Sequence, residues 1–116
     1  MAVKRIVSNL ATENIEATKA FYQDIFDLDI VMDHGWIVTL SPSSKALVQV
    51  SIATEGGSGT AVPDLSIEVD NLDEVYERAK SAGHPITYGP AEEPWGVRRF
   101  YVEDPTGRIL NVLTHL

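Results

Sequence analysis

The sequence predicts an α+β fold: two tandem βαβββ modules forming a cupped, mostly antiparallel eight-stranded sheet, with the helices on its outside. Three observations lead there. Two helical stretches, beginning near Asn14 and Asn71, each follow one strand candidate and precede three more. Shifting the first half by 57 positions sets Asn14 on Asn71, Ile15 on Leu72, Thr18 on Val75, Tyr22 on Ala79 and Ile25 on Ala82, so the helix phase repeats as an internal duplication requires. One helix covers only one face of a four-stranded sheet, so two such sheets side by side curl into a cup lined by alternate strand residues.

The first module runs from about residue 1 to 54. Lys4–Leu10 alternates, with Ile6, Ser8 and Leu10 on one face and Arg5, Val7 and Asn9 on the other. A helix from Asn14 gathers Ile15, Thr18, Tyr22 and Ile25, joined by Phe21 and Phe26, and Glu16 complements its N-terminus. Strands are expected at Asp29–Asp33, Trp36–Leu40 and Ala46–Ala53, joined by the turn compositions Asp33-His34-Gly35 and Ser41-Pro42-Ser43-Ser44.

A linker over 55–63, with the glycines of Glu55-Gly56-Gly57-Ser58-Gly59-Thr60 as its flexible seam, leads into a second module over about 64–116. Those glycines precede no Lys-Ser/Thr and open no helix, so they are not a phosphate loop. Asp64–Asp70 sets Leu65, Ile67 and Val69 against Asp64, Ser66, Glu68 and Asp70. Asn71 and Glu74 are spaced like a capping box; Leu72, Val75, Tyr76, Ala79 and Ala82 form the helix's apolar stripe, and Gly83 then Pro85 stop it. Strands follow at Pro85–Tyr88, Val97–Glu103 and Arg108–His115. Glu92-Glu93-Pro94-Trp95 is the loop leading into the last pair, and Asp104-Pro105-Thr106-Gly107 has the chemistry of the tight turn between them.

The 116 residues suit one domain of ordinary composition, 44% hydrophobic and 22% charged, and no apolar run approaches a bilayer span. The N-terminus lacks the apolar stretch of a signal peptide. There is no cysteine, which removes disulfides, thiolate metal sites and thiol nucleophiles; a cytoplasmic setting is the default expectation. A net charge of −8 argues against nucleic acid as partner and suits a cationic guest.

Asn14-Ile15-Glu16-Ala17-Thr18-Lys19-Ala20-Phe21-Tyr22, Asp64-Leu65-Ser66-Ile67-Glu68-Val69-Asp70, and Trp95-Gly96 with Phe100 and Asp104-Pro105-x-Gly107 resemble the first helix, fifth strand, and seventh and eighth strands of the vicinal oxygen chelate superfamily. That group includes glyoxalase I, extradiol dioxygenases, and the bleomycin and fosfomycin resistance proteins; the motifs are most similar to the bleomycin-resistance-like branch. The resemblance covers essentially the whole chain as a single domain, 1–116, and implies a homodimer.

It also implies metal ligands, His and Glu in the enzymes, at positions held here by Val7, Gln49, Asp64 and Asn111. Valine donates no lone pair, Gln and Asn offer neutral carbonyl oxygens, and Asp64 alone is charged, whereas Zn²⁺, Ni²⁺ or Fe²⁺ wants imidazole or several carboxylates. Taking Asn9 for the first position does not help. The expectation is therefore no cofactor, with a weak oxygen-only Mg²⁺ or Ca²⁺ site as the residual alternative. Of the three histidines, His34 sits in a turn, His84 follows a helix stop, and His115 shares strand parity with Asn111 and Leu113.

By parity Gln49, Ser51, Asp64, Ser66, Asn111 and Asn9 share the polar faces of their strands, forming either a wet ligand cavity or a self-satisfied network. Asp64, if buried there without a cation, would have a raised pKa and act as a general base. Trp95 either caps a ligand by stacking or cation–π attraction, or packs under its own loop. Arg98 and Arg99 point to opposite faces; the inward one clamps an oxyanion or pairs with Glu92, Glu93 or Glu103. Arg99 shares its face with Tyr101, and Arg98 shares its face with Phe100 and Val102. The expected ligand-binding set is Asn9, Gln49, Ser51, Asp64, Ser66, Trp95, Arg99, Tyr101 and Asn111, with no catalytic residue. The favoured function is small-molecule binding without a catalytic metal, as in sequestration of a drug or metabolite, for a cationic or aromatic guest. The alternatives are a metal-dependent glyoxalase-type lyase or dioxygenase, and a non-catalytic assembly module whose cup its own side chains fill.

Overall fold

The computed structural model describes residues 2–42 and 49–116. Its elements follow in the order β1 (Val3–Ala11), α1 (Ile15–Phe26), β2 (Leu28–Asp33), β3 (Ile37–Pro42), β4 (Val50–Ala53), β5 (Leu65–Val69), α2 (Leu72–Ser81), β6 (Ile86–Glu93), β7 (Val97–Glu103) and β8 (Ile109–His115). This is the α+β, twice-repeated βαβββ order that the periodicity predicts. Among the described residues the sheet has eight strands in the order β2-β3-β4-β1-β5-β8-β7-β6. β1–β4 and β5–β8 are parallel, whereas β2–β3, β3–β4, β6–β7 and β7–β8 are antiparallel. No helix among the described residues is long and apolar enough to cross a membrane. The chain divides into two compact units, Val7–Val62 and Met1–Ile6 with Pro63–Leu116.

In the unit Val7–Val62, the Asn14 side chain caps α1 by accepting from the Ala17 N–H at 3.0 Å. Ile15 and Tyr22 pack on Val38, Leu40 and Ile52. The wider apolar stripe expected on this helix is not buried: Phe21, Ile25 and Phe26 are 51%, 62% and 58% exposed. Phe21 and Ile25 lie roughly 80–120° around the helix from the Ile15–Tyr22 line, and Phe26 ends the last turn. The β2–β3 turn forms as its composition predicts, with the Gly35 N–H donating to Asp33 Oδ1 at 2.8 Å and Gly35 at φ +85°. β4 begins at Val50; Ala46–Val48 of the expected strand, and Ser43 and Ser44 of the expected turn, lie outside the described residues. The glycine stretch closes on itself, Gly56 N–H donating to Thr60 O at 2.8 Å and Thr60 N–H to Gly57 O at 3.0 Å.

In the unit containing Pro63–Leu116, Asn71 Oδ1 accepts from the Glu74 N–H at 3.2 Å and opens α2. Gly83 N–H to Lys80 O (3.0 Å) and His84 N–H to Ala79 O (3.1 Å) close it in a Schellman motif, with Gly83 at φ +83°. Leu72, Val75, Tyr76 and Ala79 pack on Val69, Phe100, Val102 and Val112. β6 corrects the sequence expectation: it runs on to Glu93, because a register shift between Tyr88 and Ala91, at Gly89-Pro90, lets pairing with β7 resume. Only Pro94-Trp95-Gly96 remains as the turn. The Asp104 turn holds as read: Asp104 Oδ1 accepts from the Thr106 hydroxyl (2.7 Å), the Thr106 N–H (2.8 Å) and the Arg108 N–H (3.0 Å). These bonds, that of the Thr106 hydroxyl foremost, hold its carboxyl below the ordinary value.

Candidate functional site

Alternation settles which side chains of the second unit share a face. Phe100, Val102 and Val112 pack toward α2, so Arg99, Tyr101 and Asn111 stand on the opposite face of β7 and β8. The structure thereby chooses between the two arginines. Arg98 reaches Asp73 on α2, whereas Arg99 is buried with a side chain only 3% exposed.

Arg99 sits in a box of aromatic rings and one carboxylate. Its Nη2 donates to Glu93 Oε2 at 3.0 Å and its Nη1 to the Tyr101 hydroxyl at 3.0 Å, while the Tyr88 hydroxyl donates to Glu93 Oε1 at 2.8 Å. The guanidinium carbon lies 4.9 Å from the Trp95 ring centroid, 5.0 Å from Tyr101 and 5.3 Å from Tyr88. Each ring face is therefore turned to a cation that the chain itself supplies. Trp95 is half-buried. Of the pairings open to the inward arginine, the one with Glu93 forms. Tyr88 and the position of Glu93 were not readable from alternation, because the shift at Gly89-Pro90 resets the faces of β6.

Next to this box, Tyr101, Asn111 and Ser66 occupy paired positions across β7, β8 and β5. Asn111 is 9% exposed; its Nδ2 donates to Ser66 Oγ at 3.1 Å. The other unit carries a matching row, Thr39, Ser51 and Asn9 across β3, β4 and β1. There the Thr39 and Ser51 hydroxyls meet at 2.6 Å, both buried. Asn9 and Gln49 are half-buried, Gln49 just ahead of β4.

Asp64, which strand parity puts on the polar face, is not buried there. It is exposed, ahead of β5, with Oδ2 accepting from the Ile109 N–H at 3.0 Å and Arg108 3.8 Å from Oδ1. It pins the start of β8, since its own N–H also donates to Ile109 O at 2.8 Å. The four positions at which the sequence resemblance implies metal ligands hold a buried valine, two amides and a carboxylate engaged by backbone. Among the described residues no three His, Cys, Asp or Glu side chains converge on a point that could hold an ion. These residues do not fit a transition metal.

Alternation places one further group on the Ser66 face of β5, outside the expected ligand set. Glu68 accepts from Arg5 Nε at 2.6 Å and meets His115 Nδ1 at 2.8 Å. Burial pushes its carboxyl up, but hydrogen bonds from His115 and Arg5, with their charges, outweigh that and leave it below the ordinary value.

A duplicated βαβββ fold with polar rows on its strands defines a class that the family comparison then identifies. The model of the Glyoxalase/Bleomycin resistance protein/Dioxygenase superfamily matches residues 3–112, and the chain belongs to that superfamily. A comparison with curated proteins gave no match. Among solved structures, methylmalonyl-CoA epimerase from Mycobacterium tuberculosis is similar at 15% identity and TM-score 0.74, over 98% of this chain and 89% of that one. An NAD-dependent benzaldehyde dehydrogenase structure from Legionella pneumophila gives 14% identity and TM-score 0.78, over 96% and 99%. A superfamily member from Vibrio splendidus gives 14% and 0.68, over 99% and 100%. At such identities these likenesses show the fold alone.

Proposed function

We propose that this chain is a small-molecule-binding member of its superfamily that holds an organic guest without a catalytic metal, as a protein sequestering a drug or metabolite does. The donor set carries this reading: Val7 supplies no lone pair, Gln49 and Asn111 are neutral, and Asp64 is exposed and bonded to the backbone of β8. Replacing imidazoles and carboxylates by such groups removes the Lewis acid and keeps hydrogen-bonding capacity. The net charge of −8 favours a cationic or neutral guest over an anion. A cytoplasmic homodimer completes the proposal.

Metal analysis of protein purified without chelators, beside a thermal-shift screen of metals and small organic compounds, tests it. The expected outcome is substoichiometric transition metal and stabilisation by an organic compound, worth about 2.7 kcal/mol at a hundredfold excess over Kd. Stoichiometric zinc, nickel, iron or manganese would overturn the reading in favour of a glyoxalase-type lyase or dioxygenase. A single species of monomer mass in light scattering would overturn the dimer.

A further inference from the structure

Asn111 stands at the β8 position where metal-using relatives are expected to place a ligand, and the structure leaves it incompletely bonded. Nδ2 donates to Ser66 Oγ at 3.1 Å, while Oδ1 is buried and has no hydrogen-bond partner among the described residues. Exchanging the two ends of the amide leaves the same deficit, since Ser66 then serves the oxygen and the nitrogen is stranded. Folded proteins leave few buried polar atoms unpaired, and those that persist call for an explanation.

We propose that Asn111, with Ser66 beside it, receives an uncharged amide-type group of the guest. This rests on the metal-free binding function proposed above and names the chemistry of that guest. The paired neighbours of Asn111 are the neutral Tyr101 and Ser66. On that face Arg99 is bound to Glu93 with both side chains 3% exposed, and Arg5 and His115 are engaged by Glu68. With Oδ1 outward a carboxylate sets its charge against the Asn111 oxygen, and with Nδ2 outward it loses its water for one neutral donor. An ammonium group loses its water for one neutral acceptor. An amide carries both an N–H and a C=O, so it satisfies Asn111 in either orientation. Because Oδ1 has less than 1 Å² of open surface, the guest reaches it as neighbouring side chains give way.

Three probes of one shape and different charge test this: benzamide, benzoate and benzylammonium. Each is titrated into ¹⁵N-labelled protein while the Asn111 side-chain amide and the Trp95 indole resonances are followed. Benzamide is expected to move the Asn111 resonance, and the Asn111→Leu variant to weaken its binding roughly tenfold or more. The same variant without ligand is expected to melt roughly 3 °C higher, because the stranded polar atom is gone. A lower melting temperature overturns the proposal by showing the amide satisfied in the folded protein, as by a buried water. So does benzoate or benzylammonium moving Asn111 as strongly, or benzamide binding that survives Asn111→Leu. Silence from all three probes also overturns the amide site; metal analysis and the wider compound screen decide separately whether the protein is a metal-free binder.

Discussion

Replacing Arg99 by methionine removes the guanidinium and keeps most of the stem. In the parent, Arg99 and Glu93 pair at 3.0 Å with both side chains 3% exposed, so solvent does little to screen either charge. Deleting one member of such a pair strands the other, which costs about 3–5 kcal/mol. Three aromatic faces lose their cation as well. Against a total stability on the order of 5–15 kcal/mol, Arg99→Met should remove roughly a fifth or more. The double variant Arg99→Met/Glu93→Met removes both charges and should regain most of the loss, held about 1–2 kcal/mol below the parent by the Tyr88 and Tyr101 hydroxyls that lose partners. Urea denaturation followed by Trp fluorescence and circular dichroism reads this as midpoint shifts at constant slope. A loss under about 1 kcal/mol for Arg99→Met, or a double variant no more stable than the single, refutes the account of a buried, interdependent pair.

Glu68 has a carboxyl held below its ordinary value, so its contribution is present above the unfolded-state pKa and lost as pH falls through the folded one. The stability gap between parent and Glu68→Gln should thus be open at neutral pH and close in acid as the carboxylate takes up its proton; a gap that persists undiminished to strong acid contradicts this. Gly89 and Gly83 both have positive φ, +75° and +83°, but a Cβ at Gly89 would meet Arg99 O at 2.6 Å and one at Gly83 meets nothing within 4 Å. Gly83→Ala should cost about 1–2 kcal/mol and Gly89→Ala clearly more, above about 3 kcal/mol; equal midpoints in urea would show that β7 yields at that contact.

Much of the fold was legible because its signals are local. The caps at Asn14 and Asn71, the Gly83 stop, and the turns at Gly35 and Gly107 each rest on a few neighbouring residues, and the repeat of helix phase ordered them. The site was less legible wherever a face had to be assigned. β7 is buried on both sides, with Phe100 and Val102 toward α2 and Val97, Arg99 and Tyr101 on the other face, so polarity alone did not separate Arg98 from Arg99. The aromatic box needed Tyr88 and Glu93 on one side, and the register shift at Gly89-Pro90 breaks the alternation that would have placed them. α1 misled in the opposite direction: its apolar residues outnumber the positions that its packing against β3 and β4 buries.

The two polar features of the second unit do different physical work, and both bear on how the proposed guest would be held. In the Arg99 box the two guanidinium Nη atoms, the Glu93 carboxylate and the Tyr88 and Tyr101 hydroxyls bond to one another, so its gain is a rigid wall. Tyr101 belongs to that wall and is also the β7 residue opposite Asn111. A side chain fixed on one side by a buried arginine loses little further freedom when a guest arrives on the other, which lowers the entropic cost of binding. Asn111, bonded on one side only, retains the unsatisfied capacity that a ligand can repay. A metal site achieves the same division with a rigid ligand cage and an open coordination position. In the proposed binding function the arginine with its rings and carboxylate would be the rigid part and the Asn111 amide the open position, matched to a neutral group and supplying no Lewis acid to activate it.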